Sequence, residues 1–127
     1  MDVWLIRHTK VVVEPGTCYG RSELELASSF ADEVESLRAQ LPDQFDRIFS
    51  SPLTRCTRLA ETFGKFDTDA RLLEYDFGDW ELQAWDDIDQ QALDNWMQDF
   101  VNQRPPNGET VIEMQARVDE FLEQLRE

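Results

Sequence analysis

The sequence predicts an α/β fold, a three-layer α/β/α sandwich with a mostly parallel central sheet. Short apolar segments rich in β-branched and aromatic residues alternate with longer segments whose apolar residues recur at helical spacing. That alternation is typical of parallel strands connected by helices that cover the sheet. The chain has 127 residues, 41% of them hydrophobic, and shows no internal repeat or linker. We therefore expect one domain over residues 1–127 with a single core.

Three short strands are expected. The first is "VWLIR" at residues 3–7, the second is "DRIFSS" at residues 46–51, and the third covers residues 68–73. Residues 14–22 read "EPGTCYGRS", and their proline and glycines predict a loop.

The first two helices carry recognisable start signals. Ser29 and Asp32 fit an N-terminal cap, and apolar residues continue at helical spacing until Pro42 ends the helix. The second helix has Ser51 as its N-cap and Pro52 at its first position, and it runs through "LTRCTRLAETF". It therefore begins directly at the end of the second strand.

The rest of the chain predicts turns and two further helices. Residues 74–85 are aromatic, acidic and turn-like, and a helix is expected over residues 86–100 before "NQRPPNG" breaks the chain. Thr110 and Glu113 fit a capping box, and the helix that follows has apolar residues at helical spacing up to Leu125. This last helix has no C-terminal cap, and three strands make a thin sheet, so we expect the fold to be incomplete at its C-terminus.

The charge of the chain excludes several classes of protein. There are 27 acidic and 12 basic residues, and the net charge of -15 argues against binding to nucleic acid or to anionic membranes. A small anionic substrate is compatible with this charge if a few arginines line one cleft. No apolar run approaches the roughly 20 residues of a membrane span, and there is no basic signal region, so we expect the cytoplasm. Cys18 and Cys56 should be reduced thiols.

Residues suited to catalysis follow each expected strand. The only histidine, His8, comes after Arg7 at the end of the first strand. Arg55 follows the second strand, beside a helix N-terminus that offers free backbone N–H groups to an anion. Glu74 follows the third strand. Because active sites of parallel sheets lie at the carboxyl ends of the strands, we expect these residues to converge.

This set of side chains suits the chemistry of a phosphate ester. Guanidinium groups bind phosphoryl oxygens through a planar fork. An unprotonated imidazole can attack phosphorus and carry the phosphoryl group covalently. A carboxylic acid can protonate the leaving oxygen and then deprotonate the attacking water. No cluster of metal-ligating residues accompanies them in the sequence, so we expect no metal and no cofactor.

Each residue also has an ordinary structural interpretation. A lone histidine at a strand end is most often a surface or hydrogen-bonded structural residue, and Arg58 can pair with Glu61 one helical turn on. Glu74 alone resembles any exposed glutamate. Three tryptophans are more often packing residues than ligand platforms: Trp80, Trp85 and Trp96. Only the combination points to catalysis.

Three motifs resemble those of the histidine phosphatase superfamily, the phosphoglycerate mutase-like proteins. They are "LIRHTK", "SSPLTRCTRLAET" and "LLEYDFGDWE", and their order and spacing match the family over essentially the whole chain. The resemblance implies a phosphoglycerate mutase-like α/β fold and a phosphomonoesterase with a phosphohistidine intermediate. It implies that His8 is the nucleophile and Glu74 the proton donor. Arg7 and Arg55 would bind the phosphoryl group.

Within the superfamily, "RHTK", "GTCYGRSELEL" and "EYDFGDWE" look most like the α-ribazole phosphatases of cobalamin biosynthesis. The substrate that this implies is α-ribazole 5′-phosphate, a small phosphorylated molecule. Phosphoryl transfer of the phosphoglycerate mutase type is the alternative enzymatic interpretation, although the "CYGRSELEL" loop looks unlike the mutases.

Two departures from the family pattern bear on activity. Thr9 stands where most members have glycine, and Lys10 stands where they often have an acidic or amide residue. The α-ribazole phosphatase-like branch tolerates both differences. Members also carry a second catalytic histidine in a later His-x-Gly motif, whereas this chain has only His8. We therefore expect a truncated chain, and a third interpretation is a phosphate-binding member with little activity. The exposed sheet edge of such a chain makes a homodimer a further expectation.

Overall fold

A computed structural model describes all 127 residues, and the chain forms two compact units. The first unit comprises residues 1–12 and 23–69, and the second comprises residues 13–22 and 70–127. In chain order the elements are α1 (Phe30–Arg38), β1 (Phe49–Ser50), α2 (Thr54–Glu61), β2 (Asp67–Thr68), α3 (Gln90–Gln98) and α4 (Val111–Leu125). Short 3₁₀ helices cover Ala70–Leu72, Gly78–Trp80 and Trp85–Asp87.

The first unit contains a parallel βαβ arrangement, in which α2 connects β1 to β2. Phe49 pairs with Asp67 and Ser50 with Thr68. The predicted second strand is confirmed in place but is only two residues long. The third was expected over residues 68–73, yet β2 ends at Thr68 and a 3₁₀ helix takes over from Ala70. After Ser50 the chain turns towards α2, and Pro52, two residues on, has no backbone N–H to donate. The ladder therefore does not continue beyond this point.

The prediction of a first strand over residues 3–7 is wrong. These residues belong to no strand, and their side chains are exposed, up to 90% for Leu5. The nearest pairing is an isolated antiparallel bridge between Val11 and Leu26. Apolar and β-branched side chains favour a packed, pleated surface, but a strand forms only beside a partner backbone. The described chain brings no such partner alongside residues 3–7.

Helix α1 is shorter than predicted, and Ser29 stands at its N-cap as expected but without a side-chain capping bond. The Ser29 hydroxyl makes no capping bond to the helix backbone, and it donates instead to Glu33 Oε2 at 2.7 Å. The bond to Glu33 is charge-assisted, so it orients the Ser29 hydroxyl towards that carboxylate. The helix ends at Arg38, with Ala39 as its C-cap, three residues ahead of Pro42.

Helix α2 begins two residues later than expected. Pro52 lies in the preceding turn, where Ser51 Oγ accepts a hydrogen bond from Leu53 N at 3.3 Å. On the exposed face, Arg58 Nε lies 3.2 Å from Glu61 Oε1, so the expected surface pairing is confirmed.

The second unit has an aromatic core. Cys18, Trp80 and Ile88 are buried at its centre, and partly buried side chains pack around them: Phe77, Trp85, Ala92, Leu93 and Trp96. The packing interpretation of the three tryptophans is confirmed by these contacts. Trp80 and Trp96, for example, meet edge to face with ring centroids 5.6 Å apart.

Helices α3 and α4 are both capped by side chains. Asp89 accepts from Ala92 N at 3.1 Å, so α3 starts later than the predicted residue 86. The residues before it form the separate 3₁₀ helix Trp85–Asp87. The predicted capping box is confirmed in α4, because Thr110 Oγ1 accepts from Glu113 N and Glu113 accepts from Thr110 N. No helix is long and apolar enough to cross a membrane.

Candidate active site

Arg7 and His8 line one depression in the first unit. Its volume is about 230 Å³, and it is completed by Thr9 and by side chains of α1, namely Glu33, Ser36 and Leu37. The side chain of Arg7 is exposed and that of His8 is half-buried. Both predicted residues are therefore accessible to a small molecule, in a segment that is not a strand.

The hydrogen bond of His8 defines its tautomer. His8 Nδ1 lies 2.7 Å from the backbone oxygen of Thr9. A carbonyl oxygen can only accept, so Nδ1 carries the proton and Nε2 keeps a lone pair in the neutral ring. The imidazole is therefore both oriented and nucleophilic at Nε2.

Glu33 lies beside this histidine and was not singled out by sequence reasoning. Both of its carboxylate oxygens lie 3.3 Å from Lys10 N, so α1 is tied to the backbone just after the histidine. Thr9, the residue between His8 and Lys10, is buried, and its Oγ1 has no hydrogen-bond partner. The only signal in the sequence is that Glu33 lies one helical turn after Ser29.

Arg55 lies in the first turn of α2 and is only 1% exposed. The prediction of free backbone N–H groups at this helix N-terminus is wrong for Thr54, whose N–H donates to Glu23 Oε1 at 2.9 Å. The Thr54 hydroxyl also bonds Glu23. A carboxylate is favoured there because the positive end of the helix dipole and an unused N–H group coincide. The turn before the helix is buried at Ser50 and Ser51.

Glu74 belongs to the second unit, in the loop between its first two 3₁₀ helices. Its side chain is exposed, and Oε1 accepts from Tyr75 N at 2.9 Å. Tyr75 is buried, with its ring edge against Phe77 and its hydroxyl accepting from Trp96 Nε1 at 3.3 Å. Burial raises the pKa of Tyr75 above its ordinary value, so it stays neutral. The residue after Glu74 is thus a neutral anchor.

Glu81 organises the loop that packs beside this segment. Its carboxylate accepts from Gly20 N, from Ser22 N and Oγ, and from Phe77 N, at distances between 2.6 and 3.0 Å. Burial alone would raise the pKa of Glu81, but the Ser22 hydroxyl and the three backbone N–H groups together lower it. Close packing also requires Gly20, since a Cβ there would lie 2.1 Å from Tyr75 O.

The predicted residues thus divide between the two units. Arg7, His8 and Arg55 lie in the unit of residues 1–12 and 23–69, and Glu74 lies in the other. Their catalytic roles stay predictions. Sequence reasoning missed Arg117, which holds the loop of Glu74. The sequence pattern that could have revealed this residue is a charged side chain on the inward face of α4, among apolar residues.

Comparison with known proteins gives this arrangement a context. The chain is 28% identical to the adenosylcobalamin/alpha-ribazole phosphatase of Escherichia coli, over 100% of this chain and 68% of that protein. It is similar to the crystal structure of the alpha-ribazole phosphatase from Shigella flexneri, with a TM-score of 0.79 at 26% identity, covering 87% of this chain and 59% of that one.

A phosphoglycerate mutase structure from Thermus thermophilus is also similar. Its TM-score is 0.75 at 30% identity, and the match covers 92% of this chain and 68% of that one. The chain therefore spans about three fifths to two thirds of the length of these relatives. The similarity confirms the phosphoglycerate mutase-like α/β fold class.

The model of one family matches nearly the whole sequence. It covers residues 3–127, which include all three motifs and every candidate catalytic residue. The chain belongs to the histidine phosphatase superfamily, branch 1.

Proposed function

We propose that the chain is a phosphomonoesterase that transfers the phosphoryl group of its substrate first to His8 and then to water. One observation carries the proposal. The hydrogen bond from His8 Nδ1 to the Thr9 carbonyl leaves the Nε2 lone pair available for attack on phosphorus. Membership of the histidine phosphatase superfamily supports the same chemistry.

The reaction has two displacement steps. In the first, His8 Nε2 bonds to phosphorus while the bond from phosphorus to the ester oxygen breaks, and Glu74 protonates that oxygen. In the second, Glu74 takes a proton from water, the water oxygen attacks phosphorus, and the N–P bond breaks to release inorganic phosphate. Arg7 and Arg55 stabilise the charge on the phosphoryl oxygens in both steps.

We propose α-ribazole 5′-phosphate as the substrate, in cobalamin biosynthesis. The support is the similarity to the Escherichia coli and Shigella flexneri proteins, whose names contain alpha-ribazole phosphatase. A purified chain supplied with this ester and with simple sugar phosphates should hydrolyse the α-ribazole ester with the highest kcat/KM. An equal or higher kcat/KM for a simple sugar phosphate would contradict the substrate proposal while leaving the phosphatase proposal intact.

A mutase is the second candidate, because the chain is 30% identical to the phosphoglycerate mutase of Thermus thermophilus. The two reactions share the phosphohistidine and differ in the acceptor. Measuring phosphate release to water against transfer to a second hydroxyl group separates them, and we expect release to water to dominate.

A phosphate-binding member with little activity is the third candidate. It is supported by the family resemblance, which implies a second catalytic histidine, whereas His8 is the only histidine in this sequence. A version extended through a second histidine should then hydrolyse esters about 10²–10³ times faster, since one charge-stabilising group of a preorganised site has that effect. Equal rates would contradict this candidate.

We also propose a partner, a location and an oligomeric state for this chain. A small phosphorylated molecule is the proposed partner, without nucleic acid or membrane, and the cytoplasm is the proposed location. A homodimer is also proposed, and light scattering of the purified chain measures it directly.

Trapping the phosphoenzyme tests the proposed mechanism. The chain is mixed with a phosphomonoester, quenched in alkali, and digested, and the peptides are analysed by mass spectrometry. We expect an acid-labile phosphoryl group on His8, no labelling in His8→Ala, and normal labelling in the surface control Arg104→Lys. An unlabelled wild type whose activity equals that of His8→Ala would overturn the proposal.

A further inference from the structure

The guanidinium of Arg117, on α4, uses all five of its N–H groups. Nε and Nη2 donate to the two carboxylate oxygens of Glu109, at 3.2 and 2.6 Å. Nη1 donates to the backbone oxygens of Arg71 and Leu73, at 2.8 and 2.6 Å. The remaining Nη2 proton goes to the backbone oxygen of Glu74, at 3.2 Å. One side chain therefore holds two carbonyl groups of the loop that carries Glu74 and one of the 3₁₀ helix that precedes it.

Glu109 holds the other side of the same loop. Its carboxylate accepts from Asp76 N at 3.0 Å, and its own N–H donates to Asp76 O at 3.1 Å. Arg21 adds a contact from Nε to Glu74 O at 3.4 Å. The Arg117 and Glu109 side chains are only 17% and 12% exposed, so solvent screens this pair weakly. The backbone is thus restrained immediately before, at and after Glu74.

We infer that Arg117, supported by Glu109, is a positioning residue for the proton donor Glu74, an inference that rests on the proposed function. The Glu74 carboxyl is exposed, and its one side-chain hydrogen bond is to the next backbone N–H. Its location is therefore set by the backbone from which it projects. A planar fork can bind the carboxylate and three carbonyls at once, whereas a lysine ammonium has three donors and no fork.

A loss of positioning has a specific kinetic consequence. A general acid matters most when the leaving group is a strong base, such as the alkoxide of an alkyl ester. It matters little for p-nitrophenyl phosphate, whose leaving group departs without protonation. Glu74 also deprotonates water in the second step, which is common to all esters, so the comparison uses kcat/KM, which reports only the steps up to departure of the leaving group. A displaced Glu74 should therefore lower kcat/KM selectively for alkyl esters, whereas general damage to the fold should lower it for both esters alike.

The experiment compares Arg117→Lys with the matched control Arg104→Lys. Arg104 is an exposed arginine that forms an ion pair with Glu113. Each full chain is assayed with p-nitrophenyl phosphate and glycerol phosphate, and circular dichroism checks the fold. We expect Arg117→Lys to lower kcat/KM for glycerol phosphate about 10²-fold, the scale of general acid catalysis. For p-nitrophenyl phosphate the loss of kcat/KM in Arg117→Lys should match that in Arg104→Lys. Glu109→Gln should show the same selectivity, and it replaces Arg117→Lys in the comparison if that variant does not fold.

The outcomes separate this inference from the proposed function. An equal loss of kcat/KM on the two esters, or no loss on either, overturns the positioning role while the phosphatase proposal stands. A wild type that hydrolyses neither ester overturns the proposed function and the inference with it. Glu74→Gln provides the reference pattern for a missing proton donor, and Arg117→Lys combined with it should cost no more than Glu74→Gln alone.

Discussion

At the scale of single residues, Glu81 shows how a carboxylate can be structural in a chain with many acidic groups. It collects backbone and hydroxyl donors from Gly20, Ser22 and Phe77, and these bonds outweigh the burial that opposes its ionisation. A carboxylate with a lowered pKa contributes stability above its unfolded pKa and loses it as the pH falls through the folded value. Glu81 therefore links the stability of the second unit to acid.

Glu81→Gln should lower the free energy of unfolding at pH 7 by roughly 1–3 kcal/mol, because an amide accepts weaker hydrogen bonds from these donors. It should also reduce the further loss of stability on acidification below about pH 4.3, the unfolded pKa of glutamate. Urea unfolding from neutral to acidic pH measures both effects, with the exposed Glu25→Gln as control. An acid dependence identical to that of wild type would contradict this role.

Cys18 offers a second test at the residue scale. Burial first, and then the negative charge of Glu81, raise the pKa of its thiol to about 12. At about pH 8 only roughly one thiol in 10⁴ would be the reactive thiolate. Iodoacetamide should therefore modify the partly exposed Cys56 well before Cys18, as peptide mass spectrometry can follow. Equal labelling rates in the native chain would show that the core around Cys18 opens readily.

At the scale of elements, the start of α4 is defined by its capping box. Thr110 is buried, and its hydroxyl satisfies the N–H of Glu113, while the Glu113 carboxylate returns a bond to Thr110 N. The same helix carries Arg117 two turns later. The cap therefore sets the register of the helix that restrains the Glu74 loop.

Thr110→Val removes the capping oxygen with little change in volume and should destabilise the chain by about 1 kcal/mol. Thr57→Val is the matched control, because its hydroxyl bonds only a carbonyl within α2. Thermal unfolding followed by circular dichroism compares the two variants. A smaller loss for Thr110→Val than for Thr57→Val would contradict the capping role.

At the scale of the whole molecule, the charge balance is unfavourable. With 27 acidic and 12 basic residues, the net charge is -15, and repulsion among carboxylates opposes folding. Several of the basic residues are already engaged in the close ion pairs of Arg58, Arg104 and Arg117. Screening by salt should weaken the repulsion among the carboxylates more than it weakens the attraction within these ion pairs.

Raising NaCl from about 20 mM to about 0.5 M, which shortens the Debye length severalfold, should therefore raise Tm. A gain of about 1 kcal/mol would correspond to roughly 4 °C for a chain of this size. Differential scanning calorimetry at neutral pH measures the shift, and choline chloride serves as a control for effects specific to sodium. A fall in Tm would mean that ion pairs, not repulsion, dominate the electrostatics of the fold.

By itself the sequence determined the family, the parallel α/β class, the place of β1 and the capping box of α4, because each depends on local patterns or on motifs. The tertiary structure alone decided that residues 3–7 form no strand, since a strand needs a partner that local propensity does not reveal. It also decided that Glu23 binds the N-terminus of α2, and that Arg117 holds the loop of Glu74. Those contacts join residues 31 and 43 positions apart, a separation that spacing rules for helices and strands do not cover.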